Sequence, residues 1–108
     1  MNKSIAVIRL TGELEIGRKD EITTALTVSG NESAVLLDFS DVTYADSTTL
    51  GELLRFRDEA SKQSIPVAIV IGSRQFARLI QYAGLGHAFH IFDNRAAALS
   101  DLSQAASQ

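Results

Sequence analysis

At 108 residues, 45% apolar and 21% charged, the chain has the size and composition of one globular domain that can bury its core without staples. A net charge of −3 argues against the basic stripe of a phosphate-tracking nucleic-acid binder and against attraction to an anionic membrane surface. The absence of cysteine excludes disulfides, thiolate metal sites and cysteine nucleophiles, in keeping with a reducing compartment.

The opening stretch MNKSIAVIRLTG has a short apolar run interrupted by Arg9 and lacks a small-residue cleavage site. It is too short for a signal-peptide core or a membrane span, and no later apolar run exceeds strand length. The expected compartment is the cytoplasm, with no membrane insertion. Residues 4–10 read as a strand that ends at Thr11-Gly12, a turn signal. Ile22, Ala25 and Leu26 then recur at helical spacing between Lys19-Asp20-Glu21 and Gly30, which predicts a short amphipathic helix closed by glycine. Residues 34–39, AVLLDF, are nearly continuous in their apolarity and suit a strand covered on both faces.

The next helix carries Leu50, Leu53, Leu54, Phe56 and Ala60 as its buried stripe, with Glu52, Arg55, Asp58, Glu59 and Lys62 toward water. Pro66 opens a third strand over residues 67–71, and Gly72-Ser73 turns the chain. Phe76, Leu79, Ile80 and Ala83 keep helical spacing up to Gly84, placed for a left-handed C-cap. Residues 88–92 read as a fourth strand and 94–102 as an alanine-rich last helix; the tail from 103 to 108 has little to bury and is expected to fray. The order β-α-β-α-β-α-β-α predicts a single α/β domain, a mostly parallel or mixed sheet with four helices and right-handed crossovers. In such sheets function gathers at the carboxyl ends of the strands, and the loop over residues 40–47 leaves one of them.

That loop runs into TYADSTTLGELL, where three hydroxyls follow Asp46 at a helix start. Asp46 or Ser47 could cap the helix directly, or Thr49 could form a capping box with Glu52. On one reading all three hydroxyls are cap and turn. On the other, one exposed hydroxyl is a phosphorylation site, favoured by the helix dipole and opposed by Asp46. Enzyme readings are weaker. Ser47 lacks the G-x-S-x-G elbow of a hydrolase, and no histidine is tied to it by sequence. His87, His90 and Asp93 lack a zinc-type pattern. Asp38 and Asp46 suggest an acidic receiver pocket, but Gly72-Ser73 stands where a receiver keeps lysine. Gly84-Leu85-Gly86 falls short of a dinucleotide fingerprint and serves as a helix stop. No catalytic residue, metal ligand or cofactor is expected.

IRLTGELEIGRKDEI, followed by LLDFSDVTYADSTTLGELL, resembles the STAS family and, within it, the bacterial anti-sigma factor antagonists. Asp38-Phe39-Ser40-Asp41-Val42 and Asp46-Ser47-Thr48-Thr49-Leu50-Gly51 follow the family's D-x-S-x-V-x-x-x-D-S-[ST]-G-L-G stretch. The likeness continues through LIQYAGLGHAFHIFDN and implies a STAS domain over residues 1–102. It implies further that Ser47, less readily Thr48 or Thr49, is phosphorylated by a partner that is both anti-sigma factor and serine kinase of GHKL ATPase type. The unphosphorylated form would bind that partner and free a sigma factor; a separate serine phosphatase would reset the phosphorylated form. Partner-binding positions implied are Glu15, Asp46, Ser47, Thr48, Thr49, Leu50 and Gly51.

Three departures accompany the likeness. Thr49 stands where the family usually has glycine, Glu15 where it has aspartate, and the family's short N-terminal strand is expected to be missing. The alternative within the family is a non-catalytic STAS subunit of an ABC-type lipid transport system or another regulatory complex, with the same hydroxyl as a docking contact.

Overall fold

The computed structural model describes residues 4–106. Strand β1 (Ile5–Arg9) is followed by a second, short strand β2 (Gly12–Leu14), a 3-10 turn (Ile16–Arg18) and helix α1 (Lys19–Ala25). Strands β3 (Ala34–Phe39) and β4 (Val42–Ala45) then lead into the longest helix, α2 (Ser47–Lys62). The chain ends with β5 (Val67–Ile71), α3 (Arg74–Tyr82), β6 (His90–Phe92) and α4 (Arg95–Ala106).

The main sheet has the order β1-β3-β5-β6 with every pair parallel, and β2 pairs with β4, also parallel, in a separate two-stranded sheet. The α/β class and the four helices are as the sequence predicts. All six residues of β3 are buried, as its unbroken apolarity requires of a strand covered on both faces. Its alternation sorts the two layers. Val35, Leu37 and Phe39 join Ile22 and Leu26, Leu53 and Phe56, and Phe76 and Ile80, under helices α1, α2 and α3. Phe39 and Phe76 stack there with ring centroids 6.2 Å apart. Ala34 and Leu36 instead meet Ala98 and Leu102 of α4 on the opposite face. Each large side chain so buried contributes at most about 1.5–3 kcal/mol.

Several details correct the sequence expectations. The strand read over residues 4–10 forms as Ile5–Arg9 in the main sheet, and the G-E-L-E motif makes a separate strand from Gly12, whose φ is +80°. The family's short N-terminal strand, expected to be missing, would precede it on residues 1–3, which lie outside the described residues. The segment expected as a loop over 40–47 contains β4, whose Val42 and Ala45 are buried while Thr43 and Tyr44 are exposed. Helix α1 stops well before Gly30, because the backbone of Leu26 leaves the helical region, at φ −89° and ψ 68°. Gly84 does take the left-handed conformation after α3, at φ +73°. Helix α4 runs on to Ala106, so residues 103–106 of the expected tail are helical; residues 107 and 108 lie outside the described residues.

Candidate functional site

The register of the small sheet brings the two sequence motifs together. Leu14 pairs with Ala45, so the next residues, Glu15 and Asp46, leave neighbouring strand ends. Asp46 then ties them. Its backbone N–H donates to the carbonyl of Leu14 at 3.1 Å. Its extended backbone makes it the N-cap of α2, with Oδ1 accepting from the Thr49 N–H at 3.1 Å. Its other oxygen, Oδ2, accepts from the N–H of Ile16 at 3.1 Å. One carboxylate thus caps the helix and holds the turn after β2.

Thr49 faces inward. It is fully buried, and its Oγ1 lies 3.1 Å from the Leu14 carbonyl and 3.3 Å from Asp46 Oδ1. The residue in the place of the family's glycine is therefore a cross-brace between the end of β2 and the start of α2. The capping box with Glu52 does not form: Glu52 accepts from the Thr23 hydroxyl at 2.7 Å and from Arg55 at 3.2 Å. The Thr23 bond lowers the Glu52 pKa against the opposing effect of burial, and Arg55 lowers it further.

With capping assigned to Asp46 and bracing to Thr49, the other two hydroxyls have no internal task. Ser47 is exposed and Thr48 half-buried, and among the described residues no hydrogen bond engages the side chain of either. Of the positions implied as partner-binding, Glu15, Ser47 and Gly51 are exposed and Asp46 and Thr48 half-buried. Thr49 and Leu50 are buried. Those two are a correction to the surface inferred from sequence: one side chain braces the strand end and the other packs in the core.

Two contributors went unread in the sequence. Ile16, 67% exposed, stands on the turn that Asp46 holds. Gln75 grips the strand end from α3: its Oε1 accepts from the Ala45 N–H at 3.0 Å and its Nε2 donates to the Ala45 carbonyl at 2.8 Å. Ser73, the N-cap of α3, also donates to the Thr43 carbonyl at 3.4 Å. At Ala45 and at the Thr43 carbonyl the outer edge of β4 is therefore engaged by side chains, and the residue before Asp46 is held by α3. A glutamine thirty positions away carries no local signal of this role. Among the described residues no group of three or more His, Asp or Glu side chains is placed to hold a metal ion, and no helix is long and apolar enough to cross a membrane.

A parallel sheet with helices on both faces, and a short strand that hands the chain to an exposed serine at a helix start, define a layered α/β domain. The STAS-domain profile matches residues 1–98, and the chain belongs to the STAS family. A sulfate transporter family protein from Wolinella succinogenes superposes with a TM-score of 0.83 at 17% identity, covering 96% of this chain and 88% of that one. The anti-sigma factor antagonist SpoIIAA in its unphosphorylated form gives 0.74 at 21% identity, over 96% and 92% of the two chains. The phosphorylated form of the Bacillus cell fate determinant SpoIIAA gives 0.65 at 22%, over 94% of each. At such identities these likenesses establish the fold alone. No curated protein sequence matches the chain.

Proposed function

We propose that the chain is an anti-sigma factor antagonist, a binding module without catalysis of its own that works in the cytoplasm and is switched at Ser47. One observation carries this reading: Ser47 is the exposed hydroxyl at the start of α2 that neither caps nor braces, because Asp46 and Thr49 do both. The site can accept a phosphate locally, since the N-terminus of α2 favours negative charge and the Asp46 carboxylate already takes two backbone N–H bonds. A docked partner is a different matter. It would meet about −1.5 to −2 of new charge beside Asp46, and each 1.4 kcal/mol of desolvation and repulsion weakens binding about tenfold. The partner surface comprises Glu15, Ile16, Asp46, Ser47, Thr48 and Gly51. The partner is an anti-sigma factor that is also a serine kinase of GHKL type, and a serine phosphatase reverses the modification. SpoIIAA, solved in both phosphorylation states, supports the reading by fold.

The second reading, a constitutive STAS subunit of a transport assembly, is favoured by the TM-score of 0.83 with the sulfate transporter family protein. Wild-type, Ser47→Ala and Ser47→Asp baits in a lysate of the source cell, with captured proteins identified by mass spectrometry, separate the two. Capture of a small ATPase-fold kinase by wild type and Ser47→Ala, and not by Ser47→Asp, together with ATP-dependent phosphorylation of the Ser47 peptide, is the expected result. The same partner on all three baits overturns the switch, and transporter subunits among the captured proteins favour the second reading.

A further inference from the structure

Helix α2 is about 24 Å long, and its far end forms one wall of a cavity of about 450 Å³, remote from Ser47. Four polar side chains line it: Arg57, Ser61, Ser64 and His90. Ile65 and Val67 supply apolar wall between them. The volume lies within the range of small-ligand sites.

The polar groups here are underused. Arg57 Nε is shielded from solvent with no hydrogen-bond partner among the described residues, an arrangement native proteins rarely leave unexplained. The side chain as a whole is 42% exposed, so a ligand is met by its terminal nitrogens. Among the described residues the guanidinium's partner is the adjacent exposed Asp58, 3.2 Å from Nη2, a pairing that water competes for. Ser61 and Ser64 are exposed, and among the described residues no hydrogen bond engages either hydroxyl. Ser64 holds φ +57°, the left-handed conformation that glycine usually fills after a helix, and keeps a hydroxyl on the cavity wall. His90 meets Asp101 through Nδ1 at 3.5 Å, so its Nε2 is left for a ligand. Neither Asp58 nor Asp101 lines the cavity. The carbonyl end of α2, which would repel an anion, is partly capped by its own turn: Gln63 and Ile65 donate to the Ala60 carbonyl and Ser64 to that of Ser61.

The geometry points to a second binding site in this cavity, for a small organic oxyanion: a carboxylate or phosphate held by the Arg57 guanidinium, His90 Nε2 and the hydroxyls of Ser61 and Ser64, with an apolar body against Ile65 and Val67. A planar guanidinium whose terminal nitrogens are held only by an exposed neighbouring carboxylate suits both headgroups. This site is independent of what Ser47 does.

The test is a titration of the 15N-labelled full chain followed by amide chemical shifts. Benzoate and phenyl phosphate are the probes, inorganic phosphate controls for the body, and benzyl alcohol for the charge. Expected are saturable shifts confined to residues 57–67 and 88–90 with at least one organic anion, and weaker or no binding of either control. Whether benzoate or phenyl phosphate binds tighter assigns the headgroup. Arg57→Gln should weaken binding about tenfold, the scale of one charge-assisted contact. His90→Gln should weaken it severalfold, and Ser47→Ala should leave it unchanged. Circular dichroism of each variant separates lost binding from lost fold, and should Arg57→Gln not fold, His90→Gln decides. Absence of saturation up to about 10 mM, a Kd weaker than about −3 kcal/mol of binding energy, overturns the proposal. So does equal binding of benzyl alcohol, or undiminished affinity in the folded variants.

Discussion

A methyl group added at Gly72 would stand 2.3 Å from the carbonyl oxygen of Ser40. The neighbour is backbone, held by the Asp38 carboxylate, which accepts from the Ser40 N–H at 3.1 Å and from its hydroxyl at 2.6 Å. It cannot swing aside as a side-chain tip could. Gly72→Ala should therefore cost about 1–3 kcal/mol, the range for a side chain forced against neighbours that cannot yield, read as a lower urea midpoint with unchanged slope. At the doorway the residues divide differently. Asp46→Ala removes a helix cap and the acceptor of the Ile16 N–H together, and should cost about 1–2 kcal/mol. Ser47→Asp touches no internal bond and should stay within about 0.5 kcal/mol of wild type. Equal losses in the two variants would show that Ser47 has a structural task after all. The N-cap chemistry of Asp46 was legible in the sequence. The choice among the hydroxyls was not, because the Leu14 carbonyl that orients Thr49 lies 35 positions away.

Elements with long periodic patterns were legible; short ones were not. Six consecutive buried residues announce β3, and the stripe through Leu50, Leu53, Phe56 and Ala60 announces α2. Strands β2 and β4 have three and four residues, too few for a period of two to show, and they form because each pairs with the other across the chain. The same shortness trimmed the fourth strand to His90–Phe92, since Ala88 is engaged in a turn with the Leu85 carbonyl. At the end of α2, Ser64 occupies a left-handed position without the glycine that usually signals it. Ser64→Gly should raise stability by about 1 kcal/mol through relief of that conformation, visible as a higher melting temperature. No gain would mean that the serine hydroxyl offsets the strain.

The pH dependence belongs to the whole molecule, since its carboxylates tie separate elements. Burial raises the Asp38 pKa, but the two bonds from Ser40 and the nearby charges of Arg95 and Arg9 outweigh it, so the net shift is downward. Glu52 is lowered mainly by the Thr23 hydroxyl, which joins α1 to α2. A carboxylate lowered in the folded state contributes stability that is full above its unfolded pKa, about 3.9 for Asp and 4.3 for Glu, and is lost as pH falls through the folded value. The urea midpoint should be level from pH 7 to about 5 and fall below about 4. Asp38→Asn should make that fall shallower; a decline as steep as wild type would remove Asp38 from the account. The alternation of strand and helix was legible at this scale too. The division into two sheets was not, nor the grip of Gln75 on Ala45, which depends on where α3 lands. That grip has a consequence for how the molecule is recognised. Exposed strand margins invite other chains to zip on through the main chain, without regard to their sequence. At β4 the amide and carbonyl of Ala45 are already engaged by a side chain from the same molecule. A visitor to this doorway finds the main chain at Ala45 already taken, and reads the side chains instead.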